Sequence, residues 1–334
     1  MPISESVGTG KPNNPADVKH VQELLKKWPA TAGGTPGIGV DSAWGNETKT
    51  AIEKFQTFHG LGVDGIVDPA NAGGAAIVRL EAADIEILLT FDDGPHAQPG
   101  NQNNTYQIVE ALKSNSTTNN IVAAFFIQTH SKAGRLGESR GKEVIKLAYD
   151  AGCPIEIHTG STADHAMHPE RAATAAYDVT GDDKPDGQNG LESDLIRAKA
   201  RINEVVGTVP KYVRAVGLNR GQFDGSTATV DETYQRVSLK HIGVNVDSKD
   251  NAPGRPSPDV VKQTLTTGDN SVANAIQAGK PHMIVLFHDV NGKTADNIDA
   301  YIATIAGVTG KSGRFPKFIK SRADALAILS STSE

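Results

Sequence analysis

The sequence predicts an α/β fold, a parallel sheet or barrel, preceded by a compact helical unit. Three observations carry this expectation. From Ile85 onward, short apolar runs alternate with stretches of helical periodicity, the pattern of strands joined by crossover helices. Carboxylates, histidines and an arginine fall directly after those runs, at the carboxyl ends where such folds place their sites. Before residue 75 the apolar positions recur at helical spacing instead. At 334 residues the chain has room for a small domain, taken as 1–75, and a large one, taken as 76–334.

In chain order, Asp17 is placed to cap a helix carrying Val18, Val21, Leu24 and Leu25 along one face. A Gly/Pro-rich connection from Ala30 to Gly39 ends it, and a second helix sets Thr48, Ala51, Ile52 and Phe55 on one side. Gly60 to Pro69 is a string of turn residues with isolated apolar anchors, and residues 70–84 read as a linker or short connecting helix. The expected strands are Ile85–Leu89, Ile121–Ile127, Pro154–Ile157, Lys211–Val213, His241–Val246 and Met283–Phe287. Helices are expected over Gln107–Lys113, Lys142–Ala151 and Leu191–Val206. Asp178 to Asn189 is polar and turn-rich and reads as an inserted surface loop.

Composition narrows the function. A net charge of -6 provides no basic excess to neutralise phosphates, so no nucleic acid is expected as a partner. The single cysteine, Cys153, allows no disulfide framework and reads as a buried structural thiol. No apolar run is long enough to span a membrane. The first residues, Met1 to Ser6, lack the basic start and apolar core of a secretory leader. The protein is then cytoplasmic, exported by a route that needs no leader, or missing a leader it once had.

The chemistry gathers in five stretches. Thr90-Phe91-Asp92-Asp93-Gly94-Pro95 carries two adjacent carboxylates past the end of a strand. Neighbouring side chains on an extended backbone point to opposite sides, so one aspartate can bind a metal while the other takes a proton. His158 to His168 contains His158, Asp164, His165 and His168, and Asp93 with two of these histidines would make a three-ligand site with an open position, the pattern of catalytic zinc. Arg214, at a strand end, can hold an ionised carboxylate by paired hydrogen bonds. Val246-Asp247-Ser248-Lys249-Asp250 adds carboxylates. His288 emerges from a wholly apolar strand, well placed as a general acid if a carboxylate raises its pKa.

Two resemblances follow. Asp17-Val18, Val21-Gln22, Leu25, Val40-Asp41, Trp44-Gly45, Thr48, Ala51-Ile52, Phe55-Gln56, Gly60-Leu61 and Val63 to Pro69 resemble the peptidoglycan-binding domain type one family, which implies a three-helix cell-wall module. Most of these positions fix the fold; Trp44 is the one large aromatic among them that could stack on a sugar, with a core role as the first reading. Over about residues 85–330 the chain resembles the polysaccharide deacetylase family, the NodB homology domain of carbohydrate esterase family four. Thr90 to Pro95 matches its first motif in full, Ala124 to Ile127 the strand that follows, and Leu286 with His288 the last motif.

This second resemblance implies a distorted (β/α) barrel of about seven strands. It implies Asp93, His158 and His165, or alternatively His168, as ligands of a divalent metal, with zinc expected. Asp92 would be the general base, His288 the general acid, Arg214 the residue that positions Asp92, and Asp250, with or without Asp247, the residue that tunes His288. A backbone N–H near Gly217, together with Leu286, would contact substrate. Three departures stand out: Thr162 occupies the usual place of the second histidine, Arg214-Ala215-Val216-Gly217-Leu218 replaces Arg-Pro-Pro-Tyr-Gly, and Asn251 replaces a tryptophan. Metal ligands, base and acid are retained while the substrate-contacting walls have changed.

The two resemblances together imply a peptidoglycan N-deacetylase, acting on GlcNAc or MurNAc in the periplasm or cell wall. A wall-directed enzyme without a leader suggests an antibacterial effector delivered by a contact-dependent route such as type VI secretion, with an immunity protein as its further partner. The competing readings are a non-catalytic wall-binding protein with a drifted barrel, and a metal hydrolase of another amide or ester.

Overall fold

A computed structural model describes residues 3–28, 30, 33–58, 60–69, 74, 76–77, 85–97, 103–129, 136–158, 190–218, 227–268, 270–277, 282–308 and 316–332. The chain divides into two compact units, one of Met1–Ile85 with Ile276–Pro281 and Ala306–Pro316, the other of Glu86–Ala275, His282–Ile305 and Lys317–Glu334.

The first unit is helical. Helix α1 runs Pro15–Lys27 and α2 runs Asn46–Phe58. Of the expected third helix, Ala76 and Ile77 have helical backbone among the described residues. The cap of α1 is Asn14, whose side chain accepts the Ala16 N–H at 2.9 Å, rather than Asp17 as the sequence suggests. Pro15 at the first helical position sets the start one turn earlier. Asp17 instead accepts from Ser4 N, Ser4 Oγ and Glu5 N at 3.1, 2.8 and 2.9 Å, fastening the amino-terminal segment to the helix.

Two glutamines repeat one device. Gln22 of α1 donates to Asp41 Oδ1 (2.8 Å) and accepts from Asp41 N and Ser42 N. Gln56 of α2 donates to Asp64 Oδ1 (2.7 Å) and accepts from Asp64 N and Gly65 N. Each buried amide thereby satisfies a loop backbone that has no ladder to pair with. Val18, Val21, Leu25, Trp28, Ile52 and Phe55 fill the core, with Trp28 edge-on to Phe55 at 5.2 Å and Trp44 partly buried against it.

The second unit is an α/β barrel left open on one side. Its strands are β1 Ile85–Asp92, β2 Ala124–Ile127, β3 Ile155–His158, β4 Tyr212–Arg214, β5 Lys240–His241, β6 Val246–Asp247, β7 His282–His288 and β8 Pro316–Phe318. Seven follow the order β5-β4-β3-β2-β1-β7-β6 with parallel pairing throughout, and β8 pairs with β1. Around them lie α3 Asn104–Ser114, α4 Ser139–Asp150, α5 Gly190–Val206, α6 Thr227–Arg236, α7 Pro258–Thr266, α8 Val272–Gln277, α9 Gly292–Ala306 and α10 Arg322–Thr332.

The single strand expected over His241–Val246 is two short ones at opposite edges of the sheet. Ile242 N still bonds Val213 O on β4 at 2.9 Å, whereas Asn245 N bonds Ile284 O on β7 at 3.0 Å. Ile242 to Asn245 therefore cross from one edge to the other, and covalent chain spans the gap that no ladder closes among the described residues. Strand β8 is absent from the sequence expectation, since only its two outer residues are buried.

Alternation along each strand sorts the side chains. Leu88, Ala124, Phe126, Tyr212 and Ile284 form one buried cluster with Ile319, Ile328 and Leu329. On the opposite face Phe91 stacks on Phe125 (5.2 Å) and Phe287 (5.9 Å), and Phe287 reaches Tyr301 of α9 at 5.6 Å. Cys153 is buried and its thiol is pushed up to about 11 by burial, so it stays protonated and unreactive.

Both tryptophans of the chain, Trp28 and Trp44, lie in the helical unit, so their fluorescence reports that unit alone. Phe55→Ala removes a fully buried ring that packs on Trp28. It should lower the stability of the fluorescence-detected urea transition by about 3–5 kcal/mol.

Candidate active site

Four parallel strands end on four polar residues: β1 on Asp92, β3 on His158, β4 on Arg214 and β7 on His288. Register places Asp92 opposite His288 and opposite Phe126, and His158 opposite Arg214. Paired residues in a sheet share a face, so these side chains project from one rim above the buried cluster of Leu88, Phe126 and Ile284. Strands β3, β4 and β7 run one residue further than their apolar runs suggest and β1 runs three further, and the last residue of each is the polar one.

Arg214 is fully buried and lies over the Phe126 ring, 4.0 Å from its centroid. Its Nη1 donates to Asp92 Oδ1 at 2.7 Å and to Thr90 Oγ1 at 2.9 Å, and its Nε to Ile242 O at 3.3 Å. Thr90 passes its own hydroxyl proton to Val285 O at 3.1 Å, tying the group to β7. Burial pulls the Arg214 pKa below the ordinary value, against the raising influence of Asp92.

Asp93 lies beyond the strand with φ of 75°, a left-handed conformation rare for a residue with a side chain. The two aspartates therefore diverge because Asp93 turns out of the extended backbone, not through strand alternation alone. Asp93 Oδ1 is 3.2 Å from His158 Nε2 and 3.5 Å from Gln128 Nε2. His158 Nδ1 is 3.1 Å from the carbonyl oxygen of Arg214 and 3.8 Å from Asp92 Oδ2. Burial lowers the His158 pKa, but Asp92 and Asp93 outweigh it and the value is raised.

Across the rim, His288 Nδ1 pairs with Asp250 Oδ1 at 2.8 Å, and His288 N donates to Asp250 Oδ2 at 3.0 Å. Asp250 is buried and accepts further bonds from Ser248 Oγ (3.1 Å) and Thr294 Oγ1 (2.5 Å). Burial disfavours the imidazolium, yet the bond to Asp250 and its charge prevail, and the His288 pKa is raised to about 9.

The remaining expected residues are placed as follows. Asp247 ends β6 and pairs with Lys249 Nζ at 2.6 Å. Gly217 sits in a short 3-10 turn, Val216–Leu218, with φ of 59°. Leu286 is buried one inward position below His288, opposite Thr90. His165 and His168 lie outside the described residues, as does the Asp178–Asn189 loop. Sequence reasoning missed Thr90, Gln128, Ser248 and Thr294 as members of the polar network. It also missed Glu156, buried two residues before His158, which accepts from Lys211 N and Tyr212 N and is pushed up to about 8 by burial. Only the alternation of Ile155-Glu156-Ile157-His158 could have signalled that Glu156 shares the His158 face.

The donor set fits a divalent ion as far as it is described. A carbonyl can only accept, so the Arg214 carbonyl keeps the proton on His158 Nδ1 and turns the Nε2 lone pair toward Asp93. Two ligands of one tetrahedral zinc lie about 3.4 Å apart at usual bond lengths, close to the 3.2 Å between His158 Nε2 and Asp93 Oδ1. Among the described residues no third histidine, cysteine or carboxylate completes the group.

Fold and site together define a parallel β/α hydrolase-like architecture, with two carboxylate–cation pairs flanking a carboxylate–imidazole pair. Residues 80–233 match the family described as polysaccharide deacetylase, and residues 14–71 match the peptidoglycan binding domain family. The barrel segment belongs to the polysaccharide deacetylase family, and the helical segment before it belongs to the peptidoglycan-binding family. No curated protein matches the chain. Among solved structures, a family 4 carbohydrate esterase from Streptomyces lividans is 21% identical, covering 71% of this chain and 94% of its own at a TM-score of 0.47. Peptidoglycan deacetylase PdaC from Bacillus subtilis is 17% identical, with coverage of 74% and 93% and a TM-score of 0.47. A CE4 family pseudoenzyme from Bacillus anthracis is 18% identical, with coverage of 66% and 60% and a TM-score of 0.42.

Breaking a buried ion pair leaves an uncompensated charge, at a cost of about 3–5 kcal/mol. Arg214→Met should destabilise the chain by about that much in chemical denaturation, and adding Asp92→Asn should restore a large part of it. Additive losses in the double variant would show that the two residues do not act as a pair.

Proposed function

We propose that the chain is a metal-dependent N-deacetylase acting on amino sugars of peptidoglycan, GlcNAc or MurNAc. The observation that carries this reading is the separation of two carboxylate–cation pairs, Asp92–Arg214 and Asp250–His288, at paired positions of neighbouring strands. One pair can accept a proton while the other delivers one, which is what amide hydrolysis asks of a site near neutral pH.

Asp93 and His158, with His165 or His168, would hold the metal, zinc in this reading. The bound ion supplies Lewis acidity toward a water molecule and the acetamide carbonyl. Asp92 takes a proton from the attacking water, and Arg214 holds its carboxylate aimed. The oxygen that gains charge is met by a backbone N–H near Gly217. Leu286 floors the space beside the acetyl methyl. His288 then gives its proton to the departing nitrogen, the C–N bond breaks, and acetate and a free amino sugar leave. Residues 76–334 form the catalytic domain in this reading, and residues 1–75 bring it to the wall, raising the local concentration of a polymeric substrate that diffuses little.

The test is acetate release from purified peptidoglycan, with zinc and with chelator. Acetate should appear only with metal, and Asp92→Asn and His288→Gln should each lower kcat by about 10²–10⁴-fold. No metal-dependent acetate from zinc-loaded protein, over peptidoglycan and several other acetylated glycans, would sink the reading. A mass loss other than acetyl would point to a different amide or ester.

The pH profile gives an independent check. His288 must be protonated to act as acid, so kcat/KM should fall as pH rises past about 9. Asp250→Asn removes the strongest influence that raises the His288 pKa and leaves the burial that lowers it, with the charges of Asp93 and Asp92 still raising it. The alkaline limb should then move down from about 9. The same pairing stabilises the fold in full below pH 6.5, and that contribution is lost as pH rises through about 9.

A further inference from the structure

Asp289 follows the proposed acid, is fully buried, and has no part in the chemistry described above. A buried carboxylate is costly unless its surroundings are built for it. Its Oδ2 accepts the Thr105 hydroxyl at 2.7 Å, and Thr105 Oγ1 in turn accepts the His96 N–H at 2.7 Å. The Asp289 carboxylate also lies so close to Gly94 that a Cβ there would collide with both of its oxygens. Its backbone N–H donates to Asp92 O at 3.2 Å.

These contacts enclose the turn that follows Asp93. Asp289 presses on Gly94, Thr105 at the start of α3 holds His96, and Gln128 N donates to Gly94 O at 2.7 Å from the end of β2. A second link, from Asn104 Nδ2 to Val290 O at 3.0 Å, fixes α3 to the same segment beyond β7. Asp93, at φ of 75°, occupies a conformation that costs about 1–3 kcal/mol and persists only where neighbours impose it. The neighbours that impose it are the ones around Gly94.

We propose that Asp289 is a positioning residue: its buried carboxylate, bonded to Thr105 and packed on Gly94, holds Asp93 in the left-handed conformation from which it faces His158. This rests on the reading of Asp93 and His158 as metal ligands, and it adds to that reading what sets their separation. Asp289 also joins the two halves of the site, because the residue that fixes the ligand turn on β1 is the neighbour of His288 on β7.

The test is zinc affinity of the full chain, by competition with a chromophoric chelator, together with the visible absorption spectrum of the cobalt-loaded protein. Partners that orient a metal ligand typically contribute 10–100-fold to affinity. Asp289→Asn and Thr105→Val should each weaken zinc binding by about 10-fold, and Asp289→Ala by about 100-fold, with altered cobalt bands. Thr105→Val keeps shape and volume and carries the test if the Asp289 variants do not fold. Wild-type zinc affinity and an unchanged cobalt spectrum in Thr105→Val and Asp289→Asn would overturn the role of Asp289. A wild-type chain that binds neither zinc nor cobalt would overturn the ligand reading with it.

Discussion

The Arg214–Asp92 pair is the constraint on which the rest of the rim depends. Neither partner can be left in the barrel interior alone, because a desolvated charge without a counter-charge costs several kcal/mol. The surroundings are fitted to the guanidinium: an aromatic face from Phe126, a carbonyl from Ile242, and a hydroxyl from Thr90 that is itself spoken for by Val285. These groups come from β1, β2, β7 and the segment after β5, so the ion pair forms only once most of the sheet has closed around it. That dependence also runs outward. Arg214 contributes its backbone carbonyl to His158 as well as its side chain to Asp92, so one residue orients both the proposed base and a proposed ligand.

Parallel pairing converts this chemistry into a rim. Each of the four strands stops where its inward-facing polar residue emerges above the apolar cluster, and the ladder fixes their relative heights to the register of single residues. A slip of one residue in β1 against β7 would send Asp92 to the face occupied by Phe91 and Phe287, where aromatic stacking leaves no place for a carboxylate. The apolar pattern below the rim therefore specifies the geometry above it.

Much of this was legible in the sequence, and what was not has a common cause. The apolar runs located six strand regions, and residue types at their ends located Asp92, His158, Arg214 and His288, because strand alternation and the carboxyl-end rule are local. The crossing at Ile242–Asn245 reads as one strand in sequence, since four residues that change sheet edge keep the composition of a strand. Asp17 reads as a cap because acidic residues suit that position, while its actual partners, Ser4 and Glu5, lie 13 and 12 residues away. The left-handed Asp93 and the Asp289–Thr105 bond were invisible for the same reason. The latter joins residues 184 apart, and no periodicity encodes such a contact.

The charges at the rim then assign one task to each carboxylate. Asp92 is matched by Arg214 and Asp250 by an imidazolium whose pKa it raises to about 9. Asp93 faces an imidazole whose Nδ1 proton is committed to a carbonyl, so the attraction between them requires a positive charge at Nε2. A proton can supply it, which is why Asp92 and Asp93 raise the His158 pKa, and a divalent ion can supply it with charge to spare. In the metal-dependent reading these two compete for one position, and metal binding to His158 must release whatever proton Nε2 carries. In that reading the sequence Asp92-Asp93 becomes two sites of different character: one carboxylate whose cation is built into the fold, and one whose cation is exchangeable.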